Sequence, residues 1–276
     1  MNNRFMRIAV IGANGFIGKA VYESLLRMHE LIEVIPLTRS NFDLTTPENC
    51  IVFPEVDCVV HAASKNDGST YEIFNTNALT AGNVASRLNS AGVKKLIYLS
   101  SGAVYGPVEE PTYPGLECNP QGDYAVSKYL GEIKTAEVFT GNLSILRLYF
   151  PYGMGQNRQR LIPRLIARLK AGESIVCNHD GGPDLSLTHI DVITELISDL
   201  CLKELDSKGR SVNIRNVAGP EIIKLYTLVQ ALADVLGVEP NITSTGNAPN
   251  AVSIAFPDLP IRLFSANEVI NKCMDA

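Results

Sequence analysis

Apolar and polar positions change period in blocks along the first 150 residues, and the blocks predict strands and helices in alternation. Ile8 to Ile11 is an apolar run that reads as a buried strand. Three glycines follow, Gly12, Gly15 and Gly18, and then residues 19–29 show helical spacing with Val21, Leu25 and Met28 on one face. Glu33–Thr38 predicts a second strand. Pro36 inside it cannot donate to a ladder, which assigns the strand an edge or irregular place. Thr46-Pro47-Glu48 combines an N-cap, an N1 proline and an acidic first turn, so a short helix is expected before a third strand at Asp57–His61. A polar loop, Ser64–Ser69, leads to a long helix over Tyr71–Ala91 that carries Ile73, Ala78, Val84 and Leu88 inward and stops at Gly92.

Lys95–Ser100 predicts a strongly apolar strand. A loop with Pro107, Pro111, Pro114, Gly115 and Pro120 separates it from a helix over Tyr124–Phe139 and a strand at Leu143–Leu148. This order is the signature of a doubly wound parallel sheet with helices on both faces. After Pro151 the pattern is less regular. Leu161–Lys170, Asp191–Leu202 and Lys224–Leu236 predict helices, Ser174–Cys177 and Val212–Val217 strands, and His179–Asp184 a turn. Residues 1–150 are therefore expected to form one domain, and 151–276 mostly a small second lobe with segments that return to the first. The tail from Asn241 carries no functional signal.

Composition narrows the partners. Hydrophobic residues make up 46% of the 276, enough for a sizeable core, and the net charge of −5 argues against nucleic acid or an anionic membrane surface as a partner. Aromatics are 7% with no tryptophan, too diffuse for a base-stacking platform. Cys50, Cys58, Cys118, Cys177, Cys201 and Cys273 are scattered, as expected of reduced thiols rather than a disulfide framework or zinc site. His29, His61 and His189 have no metal-ligand spacing, so no metal is expected. With no secretory core and no membrane-spanning run, a soluble, cytoplasmic protein is expected.

Three stretches carry chemistry. A strand that turns through Gly12, Gly15 and Gly18 into a helix can bring backbone N–H groups and a helix N-terminus against a phosphate. Gly12 suits the turn, Gly15 the approach of a pyrophosphate and Gly18 close packing of helix on strand. Tyr124 and Lys128, four apart in Y-A-V-S-K, project from one helix face. An ammonium beside a phenol favours the phenolate, which equips Tyr124 as a general acid or base. Ser101 closes an apolar strand, where α/β sheets place ligands, and can donate a hydrogen bond to a reacting oxygen.

With these pieces in order, the chain resembles an extended short-chain dehydrogenase/reductase of the NAD(P)-dependent epimerase/dehydratase family, nucleotide-sugar branch. The matching segments are G-A-N-G-F-I-G at Gly12–Gly18, H-A-A at His61–Ala63, Asn77 in F-N-T-N-A, and L-S-S-G-A-V-Y-G at Leu99–Gly106. Y-A-V-S-K at Tyr124–Lys128, R-L-Y-F-P-Y-G at Arg147–Gly153 and T-H-I-D-V at Thr188–Val192 follow. The resemblance implies a Rossmann-type doubly wound parallel sheet, an NAD(P)-binding domain, with a small C-terminal substrate-binding lobe. It implies a triad of Ser101, which hydrogen-bonds the substrate oxygen, Tyr124, which exchanges its proton, and Lys128, which holds the nicotinamide ribose. By the same resemblance Gly12, Asn14, Gly15, Phe16, Ile17 and Gly18 form the dinucleotide turn. Ala62, Ala63 and Ser64 line the dinucleotide, Asn77 supports the cofactor loops and Tyr149 to Pro151 lie near the nicotinamide. Asp43-Leu44 resembles the adenine-contacting pair. The family's dimers imply a homodimer through the helices at Tyr71–Ala91 and Tyr124–Phe139.

Thr38-Arg39-Ser40 ends the second strand with no carboxylate for a ribose 2′-OH. Arginine suits a 2′-phosphate, so NADP(H) is favoured and NAD(H) stays open. Family dehydratases carry an acidic pair after the triad hydroxyl; here Gly102-Ala103 stands there. The short span between Thr38 and Asp57 resembles the 4-ketoreductases, so reduction of a 4-keto nucleotide sugar by NADPH is the leading expectation. A nucleotide-sugar epimerase with tightly held NAD and a catalytically silent NADP(H)-binding regulatory protein are the alternatives. Arg160, Arg164 and Arg168 form a basic stripe that reads as a solvated face or a diphosphate contact. His179 and Asp180 read as a turn or a substrate contact. Leu185 occupies the place where the family often has a diphosphate-binding basic residue.

Overall fold

A computed structural model describes residues 6–28, 32–44, 53–178, 181–204, 209–219 and 221–245. Thr46-Pro47-Glu48, His29, His179 and Asp180 lie outside the described residues, as do Cys50 and Cys273. The first elements are β1 (Met6–Ile11), α1 (Phe16–Met28), β2 (Ile32–Leu37), β3 (Cys58–His61), α2 (Thr70–Phe74) and a π turn (Asn75–Leu79). They continue as α3 (Thr80–Ser90), β4 (Lys95–Ser101), a 3-10 turn (Gly102–Tyr105), α4 (Gly122–Val138) and β5 (Asn142–Leu148). Next come β6 (Pro151–Tyr152), α5 (Leu161–Lys170), β7 (Ile175–Asn178), β8 (Asp184–Ser186) and β9 (Thr188–His189). The described chain ends with α6 (Ile190–Leu202), β10 (Ser211–Val217), β11 (Ile222–Lys224), α7 (Leu225–Leu236) and β12 (Ile242–Thr245).

Two compact units divide these elements. The described residues within Met1–Gly106, Glu117–Arg147 and Thr194–Arg215 make the first; those within Pro107–Leu116, Leu148–Ile193 and Asn216–Ala276 make the second. In the first, a six-stranded sheet has the order β10-β5-β4-β3-β1-β2, and β2, β1, β3 and β4 run parallel. β1, β3 and β4 are buried along nearly their whole length, as their unbroken apolar runs require of a sheet covered on both faces. β2 is the edge strand, with Pro36 opposite Val10, so the missing N–H can face away from the ladder. The chain runs from β1 out to β2 and then crosses to the other side of β1 at β3. The carboxyl ends of β1 and β3 thus flank a topological switch point, where open α/β sheets bind ligands.

The helix expected over Tyr71–Ala91 is interrupted. α2 and α3 are joined by the π turn, whose extra residue shifts the helical phase and buries Asn77 and Ala78. Ser69 and Glu72 form a capping box at its start.

In the second unit, α5 and α7 pack together over Leu165, Leu169, Leu228 and Leu232. Three small pairings complete it: β8 with β11, antiparallel; β7 with β12, parallel; β6 with β9, parallel. Phe150, just before β6, takes φ of 36°, a backbone strain found disproportionately near ligands.

Candidate active site

The turn between β1 and α1 is closed by its own backbone. The N–H groups of Gly12 and Ala13 donate to Leu37 O at 2.8 and 3.3 Å, and Gly15 N–H donates to Gly12 O at 2.9 Å. Phe16 and Ile17 open α1, and the first N–H groups of a helix, which find no acceptor within it, can face an anion. Gly18 is buried; a Cβ there would lie 2.2 Å from Gly12 O, so only glycine lets α1 sit this close to β1.

A cavity of about 380 Å³ opens at the switch point. Gly12, Asn14 and Gly15 line it from the glycine turn, Thr38, Arg39, Asp43 and Leu44 from beyond β2, and Ala62, Ala63 and Ser64 from beyond β3. These ten expected dinucleotide residues are brought to one cavity. Phe16, Ile17, Gly18, Asn77, Lys128 and Tyr149 are not on its wall. Phe16, Ile17 and Gly18 are in α1 directly behind the turn. The cavity passes from the backbone cradle to Arg39 on one rim, a shape that suits a dinucleotide.

Asn41, which no sequence motif marks, organises the rim. Its Oδ1 accepts from Thr38 N at 2.7 Å and from Thr38 Oγ1 at 3.2 Å, and its Nδ2 donates to Pro36 O at 3.0 Å. The side chain thereby holds a tight turn that presents Arg39.

Asn77 works from behind the wall. Buried to 1% exposure, its Oδ1 accepts from Ser64 Oγ at 3.2 Å and Lys65 N at 2.8 Å. Its Nδ2 donates to Lys65 O at 2.6 Å and to Ser127 Oγ at 3.0 Å. The amide clamps the loop after β3 to α4, one residue from Lys128.

The proposed triad is carried by β4 and α4, which pack together. Ser101 ends β4, and its Oγ accepts from Ala103 N at 3.2 Å, capping the 3-10 turn while leaving its own proton to donate. Tyr124 is half-buried in the first turn of α4, and Lys128, one turn on, is buried. Lys128 Nζ donates to Leu99 O at 2.5 Å and to Tyr98 Oη at 3.2 Å. Burial pulls the Lys128 ammonium down to about 7, against the opposing pull of Glu132. Glu132 is itself engaged by Arg147, at 2.7 and 3.0 Å, both buried, and Arg147 lies 4.7 Å from the Tyr105 ring. No term in the sequence pattern marks Tyr98, because an all-apolar strand hides which of its residues has a polar tip.

Tyr149 falls in the second unit. Its N–H donates to Val217 O at 3.0 Å, and its phenol shares a 2.5 Å hydrogen bond with Thr112 in a buried pocket of that unit. Of the basic stripe, Arg160 and Arg164 are exposed, and Arg168 pairs with Glu173 at 3.2 Å, as on a solvated face. Leu185 is buried in β8. Among the described residues no group of three or more His, Cys, Asp or Glu could hold a metal, and no helix is long and apolar enough to cross a membrane.

A sheet of this order, with a glycine turn and a cavity at its switch point, is a dinucleotide-binding α/β fold. More narrowly, the chain belongs to the NAD dependent epimerase/dehydratase family, which it matches over residues 8–214. It is thus an NAD(P)-dependent enzyme of nucleotide sugars, of reductase or epimerase type. It is 31% identical over 254 residues to a GDP-6-deoxy-D-mannose reductase of Pseudomonas aeruginosa, covering 84% of this chain and 81% of that protein. Among solved structures, MoeE5 in complex with UDP-glucuronic acid and NAD superposes with a TM-score of 0.83 at 19% identity, over 98% of both chains. A dTDP-4-dehydrorhamnose reductase from Bacillus anthracis, in complex with NADP, gives 0.82 at 20% identity over 100% of both. The two structures establish the Rossmann-like sheet with its flanking helices and additional C-terminal strands and helices.

Proposed function

We propose that this enzyme reduces the C4 ketone of a 4-keto-6-deoxy nucleotide sugar with NADPH. The observation that carries the reading is Arg39 on the rim of the cavity, on a turn fixed by Asn41, with no carboxylate at the end of β2. A guanidinium there matches a 2′-phosphate and leaves the 2′-OH of NAD without its usual acceptor. Gly102-Ala103 after Ser101 supplies no acid–base pair for eliminating water, and the relative at 31% identity is named as a reductase.

The bound dinucleotide supplies the hydride. Gly12, Asn14 and Gly15, with the N–H groups of Phe16 and Ile17, would hold its pyrophosphate. Thr38 and Arg39 would hold the 2′-phosphate, Asp43 and Leu44 the adenine, and Ala62, Ala63 and Ser64 the opposite wall. Lys128 would hold the nicotinamide ribose. Ser101 donates a hydrogen bond to the ketone oxygen, and Tyr124 gives that oxygen its proton. The positive charge of Lys128 stabilises the phenolate left on Tyr124. The second unit is assigned the nucleotide sugar. We further assign a homodimer to the faces of α2, α3 and α4, where α2 brings Tyr71, 74% exposed, and α4 brings Val138 to the surface. Light scattering at micromolar concentration is expected to give twice the chain mass; a monomer mass removes the dimer.

Purified protein is expected to consume NADPH when given GDP- or dTDP-linked 4-keto-6-deoxyhexoses, read as loss of absorbance with formation of the reduced nucleotide sugar. Arg39→Asp is expected to turn the preference toward NADH by about tenfold or more, equivalent to ~1.4 kcal/mol. Protein that purifies with tightly held NAD and epimerises a nucleotide sugar without net reduction overturns the reading.

A further inference from the structure

We propose that Tyr98 is a positioning residue for Lys128, its hydroxyl tying the ammonium to the π turn that carries Asn77. The functional consequence rests on the role assigned above to Lys128; the geometric claim does not.

Tyr98 stands in K-L-I-Y-L-S, a strand whose other buried side chains include Leu96, Ile97 and Leu99. A buried phenol must find partners for its hydroxyl. Here it finds two. Tyr98 Oη donates to Asn77 O at 3.2 Å and accepts from Lys128 Nζ at 3.2 Å. The ammonium also donates to Leu99 O and lies 4.4 Å from the Tyr98 ring centroid. An ammonium has three donors. With one fixed on a strand carbonyl and one on a phenol, the third has a set direction and is left for a ligand.

Space for the arrangement is built into α4. A Cβ at Gly131 would lie 2.2 Å from Tyr98 Oη and 2.4 Å from Asn77 O, so glycine is what allows hydroxyl and carbonyl to meet beside the helix. The π turn completes it. Asn77 offers its carbonyl to Tyr98 and its side chain to Ser64, Lys65 and Ser127. A continuous chain of hydrogen bonds therefore runs from the cavity wall after β3, through Asn77 and Tyr98, to Lys128.

The charged and titratable groups around this ammonium come from three strands and α4. His61 on β3 meets the Tyr98 ring edge-on at 5.3 Å, and burial, with the charge of Lys128, pushes it down to about 3, so it stays neutral. Glu132 and Tyr124 share α4 with Lys128, and Arg147 on β5 engages Glu132. Against that background the Tyr98 hydroxyl is an acceptor whose loss disfavours the charged form of Lys128.

The test uses the apoprotein with ¹³Cε-labelled lysine, the Lys128 signal being identified by its absence in Lys128→Met. In Tyr98→Phe, which keeps the ring, the Lys128 titration midpoint is expected to fall by about one pH unit. In turnover assays the alkaline limb of kcat/KM is expected to fall with it. A midpoint unchanged from wild type overturns the proposal. Should Tyr98→Phe not fold, a reciprocal arm decides. With ¹³Cζ-labelled tyrosine, Lys128→Met is expected to move the Tyr98 resonance and leave Tyr129 in place; an unmoved Tyr98 signal overturns the proposal. A shifted Lys128 midpoint in a protein that reduces no keto-sugar would sink the functional reading and leave this one standing. An unshifted midpoint in an active reductase would do the reverse.

Discussion

Tyr124→Phe is expected to lower kcat for the keto-sugar about 10²–10⁴-fold, the range set by one positioned proton donor. α4 packs on β4, and the 3-10 turn after Ser101 packs on α4, so the residue that ends the strand and the residue in the first turn of the helix belong to one rigid corner. Lys128 is locked one helical turn away by Leu99 O and Tyr98. Phenylalanine removes one oxygen and keeps the ring, so packing and dinucleotide binding should change little. The expected pattern is therefore a collapse of kcat with NADPH affinity and thermal midpoint close to wild type. Stopped-flow NADPH consumption, fluorescence titration of NADPH and a melting curve on the same sample check it. If every function survived the substitution, the chain would be a binding protein on an enzyme's fold.

How far the sequence discloses this arrangement depends on the range of the interactions involved. α5 follows from local periodicity alone, and its observed bounds, Leu161–Lys170, are those expected. Pro36 likewise marks β2 as the edge through its own chemistry. The strands β6, β8, β9, β11 and β12 are two to four residues long and are made by partners far away in sequence, so no local pattern announces them. The π turn is hidden for a related reason. Over Tyr71–Ala91 one inserted residue changes the phase of the helix without breaking its composition. That insertion is also what buries Asn77. Its hydrogen bonds to Ser127 and the loop after β3 span 50 and about a dozen residues of sequence, invisible except through family resemblance. Tyr98 was illegible because aromatic residues are ordinary strand formers. Only its burial next to Lys128 gives the hydroxyl a task.

Gly12→Ala is expected to weaken both the fold and dinucleotide binding, and a second glycine separates the two causes. Gly12 has φ of +83°, and a Cβ there would lie 2.7 Å from Ala63 N and 2.8 Å from Ala63 Cα. Left-handed backbone costs alanine about 1–2 kcal/mol, and forcing backbone atoms apart adds about 1–3 kcal/mol, so a loss of about 2–5 kcal/mol is expected. Gly92 has φ of +73° with nothing within 4 Å of a Cβ, so Gly92→Ala should show the backbone cost alone, about 1–2 kcal/mol. The steric part at Gly12 acts between two walls of the cavity, since Gly12 and Ala63 both line it. Prising them apart should raise the Kd for NADPH by about tenfold or more, equivalent to ~1.4 kcal/mol or more. Gly92, at the far end of α3 from the π turn, should leave that Kd unchanged. Urea denaturation and NADPH titration of both variants make the comparison. If Gly12→Ala matched Gly92→Ala in both, the cradle would not depend on the close approach of β1 and β3, and the phosphate site would have to be sought elsewhere than at this turn.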